Sequence, residues 1–257
     1  MITDGRLTPT NTCYSWSRSH KWSTPILMSS SRAWAASVLT PTTSNHQMIV
    51  FGGIDKNNVT LDTIEVIDIE SNKSIKLGLN LPQPLAGHCA VQLNSSHTFI
   101  VGGAVSDWAG FGLSVNLSNQ AWILSEAGWT SAGELAVARS GHSCSTVMPG
   151  VGGVEVVVAG GIGLSMVGTR TVLDSVEVYN VATGRWRTGN KLPSPVFGAG
   201  ILELAGQPLL IGGRYQKEDK LLQSDSSYIY QQSWRVSPLR MKTPRDQAAV
   251  LAAPAFC

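Results

Sequence analysis

Charged side chains are scarce in this sequence: 14% of its 257 residues are Asp, Glu, Lys or Arg, well below the roughly 25% of ordinary globular domains. The net charge is only +2, so there is no cationic field of the kind that holds a nucleic acid. No apolar run approaches the ~18 residues that a membrane-spanning helix needs, and no membrane insertion is predicted. Cysteine is limited to Cys13, Cys89, Cys144 and Cys257, with no Cys-x-x-Cys pair, too few for a disulfide scaffold in a chain this long. The opening residues MITDGRLTPTNTCYSW lack the apolar core of a signal peptide. No stretch sustains a helical period, and Pro82, Pro84, Pro193 and Pro195 interrupt the obvious candidates. What is present, 43% hydrophobic residues with 26 Gly and 12 Pro, describes a soluble chain of short strands and tight turns.

A repeat organises those strands. An apolar run ending in Gly-Gly occurs as MIVFGG, FIVGG, VVVAGG and LLIGG, placing the pairs Gly52-Gly53, Gly102-Gly103, Gly160-Gly161 and Gly212-Gly213 at intervals of 50, 58 and 52 residues. Downstream stands a large apolar residue, Ile75, Trp129, Trp186 or Trp234, with Trp22 as an equivalent lacking a preceding Gly-Gly. Next come Met28, Leu81, Leu135, Leu192 or Met241, and four residues later Arg32, Leu85, Arg139, Val196 or Arg245. Three further on are Ala35, His88, His142, Ala199 and Ala248. Two apolar runs split by NSSH, PGVGG or AGQP precede each Gly-Gly and read as a hairpin. A third strand, IEVID, QAWIL, VEVYN or SSYIY, and a fourth carrying the Trp complete each unit. Four strands at this period predict a β-propeller of four-stranded blades, with the Trp filling the gap between blades and the glycines allowing a sharp turn.

The pattern resembles the kelch repeat: Arg-x-x-His, an apolar run into Gly-Gly, Glu-x-Tyr, then Trp. The unit holding Gly160, Gly161, Glu177, Tyr179 and Trp186 matches best; the one after Gly102-Gly103 lacks the Glu and places Trp122 at the Tyr position. The expected fold is one all-β, kelch-type propeller domain over 1–257, with complete blades at approximately 29–81, 82–135, 136–192 and 193–241. The partial units 1–28 and 242–257 supply one incomplete blade from the two termini, which suggests a piece of a six- or seven-bladed protein or an irregular five-bladed ring.

Chemistry is thinly marked. His88 and His142 share a repeat position near Cys89 and Cys144, but Ala fills that position elsewhere and the cysteines are offset, so no metal is assigned. VVVAGGIGLSMVG lacks the Gly spacing and the following helix of a dinucleotide loop. No Ser-His-Asp or paired-carboxylate spacing stands out, and no cofactor or catalysis is expected. Kelch-like copper-radical oxidases use two Tyr, two His and a Cys–Tyr link, and no matching set is visible here; propeller sugar-acid mutarotases carry no motif to test.

The resemblance implies a protein-interaction scaffold, monomeric as a propeller, that presents loops to a partner protein. Candidate partner contacts are Arg32, Trp34, Arg139 and Arg245 at the unit starts, with Trp108, Phe111, Arg170, Arg214 and Tyr215 in the loops after Gly-Gly. For the Arg residues an ion pair between blades is the competing role. In one version the chain is the recognition part of an intracellular ubiquitin-ligase adaptor. In another it is an extracellular protein binding glycan or protein ligands, as four Asn-x-Ser/Thr sequons at Asn58, Asn72, Asn94 and Asn116 suggest. A propeller enzyme is the third. Cys13 and Cys257, near opposite ends, are a candidate staple or two free thiols.

Overall fold

The computed structural model describes residues 2–3, 6–7, 9–14, 16–17, 21–22, 24–40, 47–105, 116–148, 153–165, 167–204, 206–218 and 220–247. Strands and turns account for the described residues, with no helix among them. They divide into two compact units, 1–118 with 123–130 and 119–122 with 131–257.

In the first unit Ala36–Thr40, Gln47–Phe51, Thr63–Asp68 and Lys73–Asn80 pair antiparallel in chain order. The second unit holds two sheets of the same kind. One is Ser143–Val147, Glu155–Ala159, Val176–Asn180 and Arg185–Thr188; the other is Gly200–Leu204, Gln207–Ile211, Ser227–Gln231 and Ser233–Val236. A fourth sheet, Cys89–Gln92, Thr98–Val101, Gln120–Ser125 and Gly128–Glu134, has strands assigned to both units. The expected third and fourth strands of every unit are therefore present within a residue or two.

Sequence explains the layering. The strands that run into Gly-Gly are apolar without alternation, and Thr98–Val101 and Glu155–Ala159 are buried along their whole length. The outer strands Lys73–Asn80 and Arg185–Thr188 are polar and mostly exposed. In the second unit Val157, Val178, Leu192, Val196, Leu210, Tyr228 and Trp234 form one buried cluster spanning both sheets.

Three of the Gly-Gly pairs are tied to the repeat that follows. Gly53, Gly161 and Gly213 donate their amides to the carbonyls of Leu85, Val196 and Arg245, each 2.8 Å away and each at the Arg position of the following repeat. In return the amides of Leu85, Val196 and Arg245 reach the carbonyls of Leu61, Leu173 and Ser224. Such close approach requires glycine: a Cβ on Gly160, where φ is +66°, would lie 2.3 Å from the Val196 carbonyl oxygen.

Before the first full sheet, Thr10–Cys13 pairs with Ile26–Arg32, and Trp16–Ser17 pairs with Lys21–Trp22. Cys13 is a free thiol packed on Ile26, Met28, Val50 and Ile67. Burial, reinforced by the nearby Glu65 charge and opposed by Arg32, pushes its pKa up. A staple through Cys13 is thus not formed; Cys257, like Ala248, lies outside the described residues. Cys89 and Cys144, in contrast, are both disulfide-bonded, a feature that the sequence reading did not assign to them.

Candidate functional site

Arg32 and Arg139 do not belong to a binding face. Both are buried, and Arg139 has no exposure at all. Arg139 places one terminal nitrogen 2.8 Å from the Gly160 carbonyl and 3.0 Å from that of Ser175, and the other 3.0 Å from the Ser175 hydroxyl and 2.8 Å from Glu177. Arg32 repeats the arrangement on Gly52, Thr63 and Glu65. The two carboxylates close the cluster: Glu177 accepts from the Ala136 and Val137 amides, Glu65 from those of Ser29 and Ser30. Burial alone would raise the Glu65 pKa, but bonds from the Ser29 amide, Arg32 and the Ser74 hydroxyl hold it below the usual carboxylate range. The motif Arg is a clamp that fastens the Gly-Gly carbonyl to the third strand, because a buried guanidinium needs a carboxylate and several acceptors around it.

This coupling was open to sequence reasoning and was missed. The carbonyls of Gly53, Gly103, Gly161 and Gly213 accept from Leu61, Ser118, Leu173 and Ser224, which aligns the repeats, and four residues on stand Glu65, Trp122, Glu177 and Tyr228. Trp122 therefore occupies the Glu position, two residues from where the Tyr comparison placed it. Repeats beginning with Arg have Glu there; those beginning with Leu85 or Val196 have an aromatic ring.

A second missed feature lies two residues after the Arg position, where Trp34, Gly87, Gly141, Gly198 and Gln247 all have φ between +54° and +63°. The amide of Gly87 bonds to the Trp34 carbonyl, that of Gly198 to Gly141, and that of Gln247 to Gly198. The glycines at three of the five places were the available signal. Trp34 holds this conformation with a large side chain, half-buried beside Ile54, Ala86 and Ala104. That makes it a packing residue of the first unit more than a free anchor.

The histidines follow the packing role too. His88 is buried between the Gly-Gly turns, a Cβ on Gly103 falling 2.8 Å from its own, and burial pushes its pKa down to about 3. Among the described residues no group of three His, Cys, Asp or Glu gathers as a metal would need.

The remaining candidates sit on or beside the loops after the third and fourth Gly-Gly. Those loops are β-hairpins: Ile162–Leu164 with Arg170–Val172, and Arg214–Lys217 with Lys220–Gln223. Their roots are pinned by bridges from Ile162 to Ser140 and from Arg214 to Phe197. Arg170, Arg214 and Tyr215 are half-exposed there, and Arg214 is held 2.7 Å from Asp246. Arg245, whose repeat has no Glu partner in the described residues, is exposed at the base of the second hairpin, where its amide meets the Ser224 carbonyl. Leu164, Val167, Leu221 and Leu222 are exposed on the two hairpins by 47%, 84%, 41% and 38%. Trp108 and Phe111 lie outside the described residues. The second unit also has a polar cleft of about 900 Å³ between its two sheets, lined by Glu155, Arg187, Gln207, Tyr230, Gln231 and Arg235, which no sequence pattern marked.

Comparison with known proteins accords with this architecture. Residues 39–77 match the Kelch motif family. No curated protein sequence matches the chain. Among solved structures, one titled "Structure of YjhT" superposes with a TM-score of 0.71 over 93% of this chain and 80% of that one, at 18% identity. An identity that low carries the fold and nothing of activity. The fold is a kelch-type β-propeller, all-β and built of four-stranded antiparallel sheets.

Proposed function

We propose that this chain is a non-catalytic protein-interaction scaffold whose partner docks on the hairpins that follow the third and fourth Gly-Gly pairs. One observation carries the reading: the hairpin 214–223 has an outer strand, Lys220–Gln223, exposed at every residue, with Leu221 and Leu222 partly open to solvent, while its root is fixed by the Phe197 bridge and the Asp246 ion pair. Exposed apolar side chains on a rigid support are characteristic of docking surfaces. Lys217, Lys220 and Arg245 flank the strand and would orient a partner that carries acidic groups there. With Arg32 and Arg139 committed to internal clamps, the exposed basic residue among the motif positions is Arg245.

A photo-crosslinker placed at Leu222 and, as control, at Ile75, which is 62% exposed on an outer strand, tests the reading. The expected result is a discrete adduct from Leu222 alone, abolished by Leu221→Asp. Equal labelling from both positions, or an adduct that survives the substitution, would reject it. Saturable binding of a small saccharide with no protein adduct would favour the glycan-binding alternative.

A further inference from the structure

We infer that this protein matures in an oxidising secretory compartment and carries N-linked oligosaccharide, at Asn58 and Asn72 in preference to Asn94 and Asn116. Two independent observations support it. Cys89 and Cys144 are disulfide-bonded, and such bonds persist in secreted proteins but not against the reducing thiol pool of the cytosol. All four sequon asparagines are exposed, as a modification of this bulk demands.

The sites differ in how freely the side-chain amide projects. Asn58 lies at the tip of the loop after the first Gly-Gly, in a turn whose Asp55 carboxylate accepts from the Asn57 and Val59 amides, and its φ is +63°. Asn72 sits in the turn between Asp68 and Lys73 with φ +54°. At Asn94 the side-chain oxygen accepts from the Ser96 and His97 amides, which fixes the group against its own turn. At Asn116 the backbone is tied down and forms no outward turn: its carbonyl accepts from the Val105 amide, and the next residue, Leu117, bridges to Ala104. Asn58 and Asn72 are exposed at turns, and among the described residues neither side chain makes a hydrogen bond, so the amide nitrogen stays open to modification.

In the transfer itself the side-chain nitrogen of Asn forms a bond to the anomeric carbon of an oligosaccharide. The bond from that carbon to a lipid-linked diphosphate breaks, and one amide proton is lost to solvent as the diphosphate leaves. The enzyme requires the Ser or Thr two residues on, supplied here by Thr60 and Ser74.

Protein isolated from its native source, treated with peptide N-glycosidase in isotopically heavy water, is expected to shift on a gel and to show labelled Asp at 58 and 72. Cys89 and Cys144 are expected to resist alkylation until a reductant is added. Unmodified Asn at all four sequons would overturn the proposal, as would alkylation of both cysteines without reductant. For the site order, Thr60→Ala removes the first sequon without touching the left-handed Asn58, and the Thr60 hydroxyl has no partner among the described residues to lose. Asn72→Asp removes the second while keeping a residue that tolerates the turn. The pair of substitutions is expected to abolish most of the shift; a shift that survives both intact would overturn the preference for these two sites.

Discussion

Arg139 is a positive charge held out of water by Glu177, the Ser175 hydroxyl and three carbonyls, and its removal strands the carboxylate. Arg139→Ala is therefore expected to lower unfolding free energy by about 3–5 kcal/mol, measured from the denaturant midpoint, without affecting any surface. The repeat that begins with Val196 shows the alternative, Val196 and Tyr228 both buried in apolar contact. Arg139→Val combined with Glu177→Tyr is expected to recover most of the loss; a double variant no better than the single would argue against the clamp. His88 supplies a pH dependence. Its folded pKa of about 3 lies below the ordinary histidine value, so the unfolded chain takes up the proton first as pH falls. Stability is expected to be complete above pH ~6.5 and to decline towards pH 3 by at most about 1.4 kcal/mol per pH unit from this residue. His88→Leu should lose that share of the acid slope, and a slope unchanged from wild type would show that the ring is protonated in the fold.

At the scale of strands, the recurring Trp is one motif with two jobs. Trp234 is buried against Val176, Val178 and Leu210 and meets Tyr230 edge-on at 5.4 Å. Trp129 and Trp186 are half-buried, and each donates its indole N–H to a carbonyl on the outer strand of the preceding sheet, Asn80 and Ala132, at 2.8 Å. Trp234→Ala is thus expected to cost about 3–5 kcal/mol as a core truncation, and Trp129→Ala about 1 kcal/mol for the hydrogen bond with some contact. Thermal melts of both variants check the order, and the reverse order would displace Trp234 from the core. Periodicity located all three tryptophans but could not rank them, because burial depends on what the neighbouring sheet presents to each ring.

Across the whole molecule, local signals proved sufficient for the architecture. Apolar runs into Gly-Gly became the buried strands, and the polar Trp-bearing runs became the outer ones, because strand layering follows directly from which residues water tolerates. The candidate site was less legible. Of the motif arginines, Arg245 alone among those in the described residues is exposed, while Arg32 and Arg139 turned inward. The signal that separates them, Glu65 or Glu177 thirty or more residues downstream, is present in the sequence, but its partner is identified only when the Arg-bearing segment is brought against the third strand. That Cys89 and Cys144 are disulfide-bonded was equally hidden, since neither stands in a Cys-x-x-Cys pair.

What the sequence by itself determined was the repeat, its four strands and the glycines at their junctions, since these depend on side-chain polarity and backbone sterics within a few residues. The tertiary structure decided which charges are internal, which tryptophan is core, which cysteines are bonded and which hairpins expose apolar side chains. Those depend on the pairing of groups far apart in the chain, and a buried charge or thiol has its role set by whatever the fold brings beside it.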